Sequence, residues 1–292
     1  MHGVGEATAA ITVVNALSTG IGCAIGIELA VRASAEITLR EQGGSVLDIR
    51  PAESQTPLVH ATLTAAIGRF LPSRDVRVEL EVASDIPVAM GLKSSSAVSS
   101  AVLLAVARAS GSTRPPLEIA KLSAQVSRET GVSATGAFDD ALAGLESGVV
   151  VTNNYTDELL RSGPVEPGLG VVLWMPPGVH PPSPGVRGRF PADDPLAAQA
   201  AEAALRGEWW SAMELNSELV ERAMGYPYAP LREAMRRAGA TASGTTGLGP
   251  AFAVVAPRER LEAILSALPQ TAGARRALRF TSGSAPVGGS VA

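Results

Sequence analysis

The stretch from Val76 to Arg108 restricts the fold more than any other part of the chain. Val76, Val78, Leu80 and Val82 alternate with Arg77, Glu79 and Glu81, which is the period of a half-buried strand. After a loop from Ser84 to Lys93, Val98, Val102 and Ala105 fall at helical spacing within Ser94 to Arg108. Pro87-Val-Ala-Met-Gly-Leu-Lys-Ser-Ser-Ser-Ala97 stands between the two periods. Small hydroxyl residues at a helix start offer unpaired N–H groups, hydroxyl donors and the positive end of the helix dipole, a combination that suits a phosphate. Lys93 adds a cation, and only two of the 24 basic residues are lysines, Lys93 and Lys121. The same serines also read as ordinary helix caps. Neither G-x-x-x-x-G-K-[ST] nor G-x-G-x-x-G is present here, and the absence of G-x-S-x-G argues against a serine hydrolase.

Strand signals open the chain at Ile11 to Val14 and Ile27 to Leu39, and a helix is predicted over Leu117 to Glu129, with Pro115 and Pro116 at its entrance and Gly131 beyond its end. Leu169 to Trp174 reads as a strand. The next segment, Met175 to Pro195, holds seven prolines, His180, Arg187 and Arg189, and so reads as a long loop. Helices are predicted at Pro195 to Leu205, Trp209 to Met224 and Pro230 to Arg237. A loop from Thr241 to Pro250 then leads to a strand at Ala251 to Ala256, a helix at Arg258 to Leu268 and a last strand near Arg279. The class is α+β, with a boundary near Ser162 to Pro167 that separates residues 1–165 from 166–292.

Composition narrows the function. The 292 residues are 46% hydrophobic and 18% charged with a net charge of -4, which disfavours disorder and a nucleic-acid partner. No secretion signal or membrane span is read, and the single cysteine, Cys23, leaves cysteine metal sites without ligands, so a reducing cytoplasm is expected. His2, His60 and His180 show no metal spacing.

Two further loops carry chemistry. In Thr135-Gly-Ala-Phe-Asp-Asp-Ala141 the adjacent carboxylates must point in different directions. One of them suits proton transfer from an alcohol and its neighbour a helix cap, although both also read as helix N-terminal carboxylates favoured by the dipole. In Ser243-Gly-Thr-Thr-Gly-Leu-Gly-Pro-Ala-Phe252, three glycines before an apolar segment suit close backbone approach or a tight turn.

Together these loops resemble the motifs of the GHMP kinases (galactokinase, homoserine kinase, mevalonate kinase and phosphomevalonate kinase). The second motif of that family runs roughly P-x-x-x-G-L-G-S-S-A-A; here Gly91, Leu92, Ser94, Ser95 and Ala97 match in register, with Lys93 and Ser96 as departures. The third motif resembles Thr246 to Pro250. Asn15-Ala-Leu-Ser-Thr-Gly-Ile-Gly-Cys-Ala-Ile-Gly26 and the double Asp are similar to the archaeal-type shikimate kinase branch, in which many members carry Lys where this chain has Ile21.

The resemblance implies a two-domain GHMP kinase fold, with a ribosomal protein S5 domain 2-like N-terminal half and a ferredoxin-like C-terminal half. It implies ATP-dependent phosphorylation of a small-molecule alcohol, shikimate in the first place, with another small alcohol (a cyclitol, an aminoshikimate or homoserine) as the alternative acceptor. Alternatively the fold is kept for ligand binding without turnover. ATP would rest on Pro87, Gly91, Leu92, Lys93, Ser94, Ser95, Ser96 and Ala97, with Mg²⁺ on Ser95 and Glu129 and Asp139 as the catalytic carboxylate. Asn15, Thr19, Asp140, Arg187, Arg189, Gly247 and Gly249 are the substrate-side candidates, the two arginines reading equally as solvated loop residues. Monomer and homodimer both remain open.

Overall fold

A computed structural model describes residues 1–177, 185–269 and 273–281. The chain opens with a long antiparallel hairpin, β1 (His2–Val14) and β2 (Ile21–Arg40), followed by β3 (Val46–Arg50), α1 (Pro57–Phe70) and β4 (Asp75–Ser84). Three helices come next, α2 (Ser94–Ala109), α3 (Pro116–Glu129) and α4 (Phe138–Ala143), and then the hairpin β5 (Val149–Asn153) and β6 (Glu158–Gly163). These strands make one sheet in the order β3-β4-β2-β5-β6, with β1 also paired to β2. The pairing is antiparallel throughout except between β3 and β4.

The remainder comprises β7 (Leu169–Met175), α5 (Pro195–Arg206), α6 (Trp209–Met224), α7 (Ala229–Arg237), β8 (Ala242–Thr245), β9 (Phe252–Pro257), α8 (Leu261–Ala267) and β10 (Ala274–Leu278), with a second sheet in the order β10-β7-β9-β8. This mixed α+β arrangement of two sheets is the expected fold class. One apolar core runs through both sheets: Ile11 and Val13 of β1 share it with Ala101 and Val102 of α2, Val171 and Leu173 of β7, and Met213 of α6.

The alternation at 76–82 is seen directly, since Val76, Val78, Leu80 and Val82 are buried and Arg77, Glu79 and Glu81 exposed. Helix α2 begins at Ser94 and α3 one residue before the expected Leu117. Three expectations need correction. The segment Thr241 to Pro250 is not all loop, because Ala242–Thr245 pairs with β9 as an edge strand. Arg258 to Leu268 is divided between a 3-10 turn, Arg258–Arg260, and α8. The last strand ends at Leu278, and Phe280 instead makes an isolated bridge to Ile27 of β2. In the proline-rich segment Val186–Arg189 forms a 3-10 turn, while His180, Pro181, Pro182 and Pro184 lie outside the described residues. Among the described residues no helix is long and apolar enough to cross a membrane.

Candidate active site

The strand-to-helix passage ends in a helix start that the protein itself leaves open. Lys93, not a serine, is the residue before α2, and it adopts a left-handed conformation with φ 66° and makes no side-chain cap. Ser94, Ser95 and Ser96 therefore occupy the first turn, and the cap reading of these serines fails. Among the described residues no acceptor meets their N–H groups, whereas the N–H of Ala97 is bonded to the carbonyl of Lys93 at 3.1 Å. Three free donors and the dipole of a 16-residue helix thus converge on one point.

That point opens on a cavity of about 650 Å³, a size suited to small-molecule ligands. Asn15, Pro87, Gly91, Leu92, Lys93, Ser94, Ser95, Ser96, Asp139, Asp140, Arg187, Gly247 and Gly249 all line it. The three loops touch as well as converge. Gly91 has φ +77°, and a Cβ there would lie 2.2 Å from the carbonyl oxygen of Thr246, so the position requires glycine for conformation and for space. Thr246 Oγ1 donates to the carbonyl of Gly91 at 3.1 Å and accepts from the N–H of Thr12 at 3.1 Å, while the N–H of Gly247 donates to Thr12 Oγ1 at 2.8 Å. The end of β1 is thereby tied to the third loop, and Asn15 is held from α6 through its N–H to Asn216 Oδ1 at 2.8 Å.

The two aspartates begin α4 and diverge, as adjacent helical residues must. Neither caps the helix: the residue before it is Ala137, left-handed at φ 54° and without a cap hydrogen bond. Asp139 is 4% exposed. Its Oδ1 accepts from Asn154 Nδ2 at 2.7 Å and its N–H donates to Asn154 Oδ1 at 3.3 Å. The carboxylate lies over Gly22 of β2, where a Cβ would come within 2.5 Å of Oδ2, so the first motif's second glycine makes room for it. The neighbouring Cys23 thiol is pushed up by burial and then by the charge of Asp139. Asp140 turns toward α2 instead, with Lys93 Nζ 3.0 Å from its Oδ1. Burial, followed by the charge of Asp139, raises Asp140 to about 7, and Lys93 offsets part of the rise.

Four candidates lie elsewhere. Glu129 is exposed and accepts from Gln125 Nε2 at 2.8 Å; it stands two residues past the cavity-lining Ser127, about 200° around α3, and so faces solvent. The expectation that it lines the site is corrected. Ala97 is packed in the core. Thr19 folds onto its own turn, accepting from the N–H of Ile21 at 3.1 Å. Arg189 is exposed and reaches the carbonyl of Ala223 at 3.4 Å, away from the cavity, in contrast to Arg187. Asn154, Thr12 and Ser127 belong to the site or its support without any motif to mark them.

The chain is similar to known proteins along most of its length. The family described as GHMP kinases N terminal domain matches residues 59–148. A shikimate kinase of Pyrococcus furiosus is 36% identical over 274 residues, covering 90% of this chain and 95% of the relative. The chain belongs to the GHMP kinase family. A second relative, a shikimate kinase of Pyrococcus abyssi, is 37% identical over 267 residues, with 90% of this chain and 95% of the relative covered. Lactococcus lactis galactokinase, solved with galactose, shares the fold at a TM-score of 0.74 and 14% identity, covering 97% of this chain and 94% of that one. As a GHMP kinase this chain is an ATP-dependent phosphotransferase that acts on an alcohol.

Proposed function

We propose that this GHMP kinase phosphorylates shikimate with Mg-ATP. The observation that carries the acceptor is the similarity over about nine-tenths of the chain to relatives named shikimate kinase. The cavity supplies what that chemistry needs. The triphosphate would rest on the open start of α2, with the Ser94, Ser95 and Ser96 N–H groups as donors, and the base would lie toward Pro87, Val88 and Val132, which line the same cavity.

Among the described residues no group of three or more His, Cys, Asp or Glu is arranged to hold a metal ion by itself. The donors that do line the cavity, Ser95 and the two aspartates, still fit Mg²⁺, which takes one or two carboxylates and fills its shell with phosphate oxygens and water. Ser95 and Asp140 would hold it, and once bound the ion would neutralise phosphate charge. Asp139 would orient the acceptor hydroxyl and take its proton, using the oxygen that Asn154 leaves free. Asn15 would meet the acceptor's hydroxyls and Arg187, on the rim, its carboxylate, while Asp140, expected on the substrate side, goes to the metal. Thr19 and Arg189 are assigned no contact.

The test is a coupled ADP-release assay with Mg-ATP over shikimate, quinate, homoserine, mevalonate and aminoshikimate. Shikimate should give the highest kcat/KM. A preference for another alcohol would replace the acceptor, and ATP binding without turnover on any of them would favour a ligand-binding protein.

A further inference from the structure

Asp139 owes its orientation to a residue far from every motif. Asn154 follows β5, is 1% exposed and has its backbone fixed on two sides: its N–H donates to the carbonyl of Gly20 at 2.8 Å, and its own carbonyl accepts from Arg128 Nη1 at 3.4 Å. Both atoms of the amide group are engaged, the oxygen twice and the nitrogen once. Thr152 Oγ1 donates to Asn154 Oδ1 at 2.7 Å and the N–H of Asp139 donates to the same oxygen, while Nδ2 donates to Asp139 Oδ1. A carboxylate only accepts and a backbone N–H only donates, so the amide has a single orientation in which all three of these bonds are made. Sheet register delivers the arrangement, because Thr152 pairs with Gly22, the residue over which the carboxylate lies.

We infer that Asn154 is a positioning residue for phosphoryl transfer. It engages one oxygen of Asp139 and the Asp139 N–H together, fixing carboxylate and helix start as one unit, and leaves the second oxygen for the acceptor hydroxyl. Thr152 locks the amide from behind. The inference rests on Asp139 being the acceptor-facing base.

Steady-state kinetics on the full chain test it through Asn154→Ala, Asp139→Asn and the double variant, with Thr152→Val as the milder probe. A misplaced base should lower kcat of Asn154→Ala about 100-fold, with KM for ATP within about 2-fold, because nothing on the nucleotide side has moved. In the Asp139→Asn background the same substitution should cost nothing further, since groups acting as a unit are not additive. Thr152→Val should lower kcat roughly 5-fold, a partial loss of the same orientation. If Asn154→Ala does not fold, the isosteric Asn154→Asp, which replaces the donor by a second carboxylate, should show the same loss of kcat at constant KM for ATP.

A kcat within about 3-fold of wild type, a loss that adds to that of Asp139→Asn, or a parallel rise in KM for ATP would overturn the inference. Full turnover in Asp139→Asn alone would instead remove the base assignment, so the two failures are distinguishable.

Discussion

Two helix starts face each other across the cavity, and the protein finishes them differently. Both α2 and α4 follow a left-handed residue, Lys93 and Ala137, and neither is capped by the side chain of that residue. At α4 a group from elsewhere in the fold, Asn154 Oδ1, takes the N–H of Asp139; at α2 no described residue takes the N–H groups of Ser94, Ser95 or Ser96. That one bond at α4, with Asn154 Nδ2 on the carboxylate, immobilises the Asp139 side chain in a single orientation. An open start keeps its donors for something that comes and goes. The one ion pair among the described residues that joins the two starts is Lys93 with Asp140.

The contrast breaks most sharply at Asp139. Asp139→Asn keeps the size and the Asn154 bond to the backbone while removing the proposed base, and should lower kcat on the order of 10²-fold or more with ATP binding retained by calorimetry. Loss of both together would show that the two starts do not work separately. Next comes Gly91→Ala, which should damage the open side. An alanine at φ +77°, with its Cβ 2.2 Å from the Thr246 carbonyl, must displace the contact between second and third loops. The expected cost of at least about 2 kcal/mol should lower Tm by roughly 4–8 °C and raise KM for ATP more than KM for the acceptor.

The link between the starts gives a smaller, pH-dependent effect. Asp140 is raised from 3.8 to about 7, so the folded chain holds this proton more tightly than the unfolded chain does. Its contribution to stability is therefore fully present below pH 3.8 and is lost as pH rises to about 7. Asp140→Asn carries no such proton. The wild-type Tm minus the variant Tm should fall between pH 4 and pH 7.5 and level off above that, and a difference that stays flat would mean that Asp140 ionises as an ordinary carboxylate.

What was legible in the sequence follows from range. The strand, loop and helix around Gly91 carry their periods locally, and adjacent aspartates must diverge whatever the fold. Strand β8 has the sequence of a loop because Ser243, Gly244 and Thr245 are small residues whose burial comes from α6, where Ser217 Oγ accepts the N–H of Thr245 at 2.9 Å. Strand β6 is short and exposed along its length and has no alternation to detect. Helix α1 did carry a signal, Thr56 as N-cap with Pro57 after it, but its threonines and alanines make a weak apolar stripe. Asn154 contacts Asp139 from fifteen residues away with only a turn around it, and the Asn216 bond to Asn15 spans 201 positions. Such partners become visible only once the sheets set the register.

Glu129 offers the smallest expected effect and the cleanest separation of motif from geometry. Its distance from Asp139 along the chain suits a magnesium ligand by resemblance, yet the periodicity of α3 turns Ser127 into the cavity and Glu129 out to solvent, where Gln125 holds it. An exposed side-chain hydrogen bond of this kind contributes a few tenths of a kcal/mol. Glu129→Gln should therefore leave Tm within about 1 °C and kcat within roughly 2-fold, and the magnesium concentration giving half-maximal activity should not move. A large rise in that concentration would mean that α3 turns or unwinds its last residues when the nucleotide binds. The open start of α2 would then be completed by the end of α3, whose Glu129 here faces solvent.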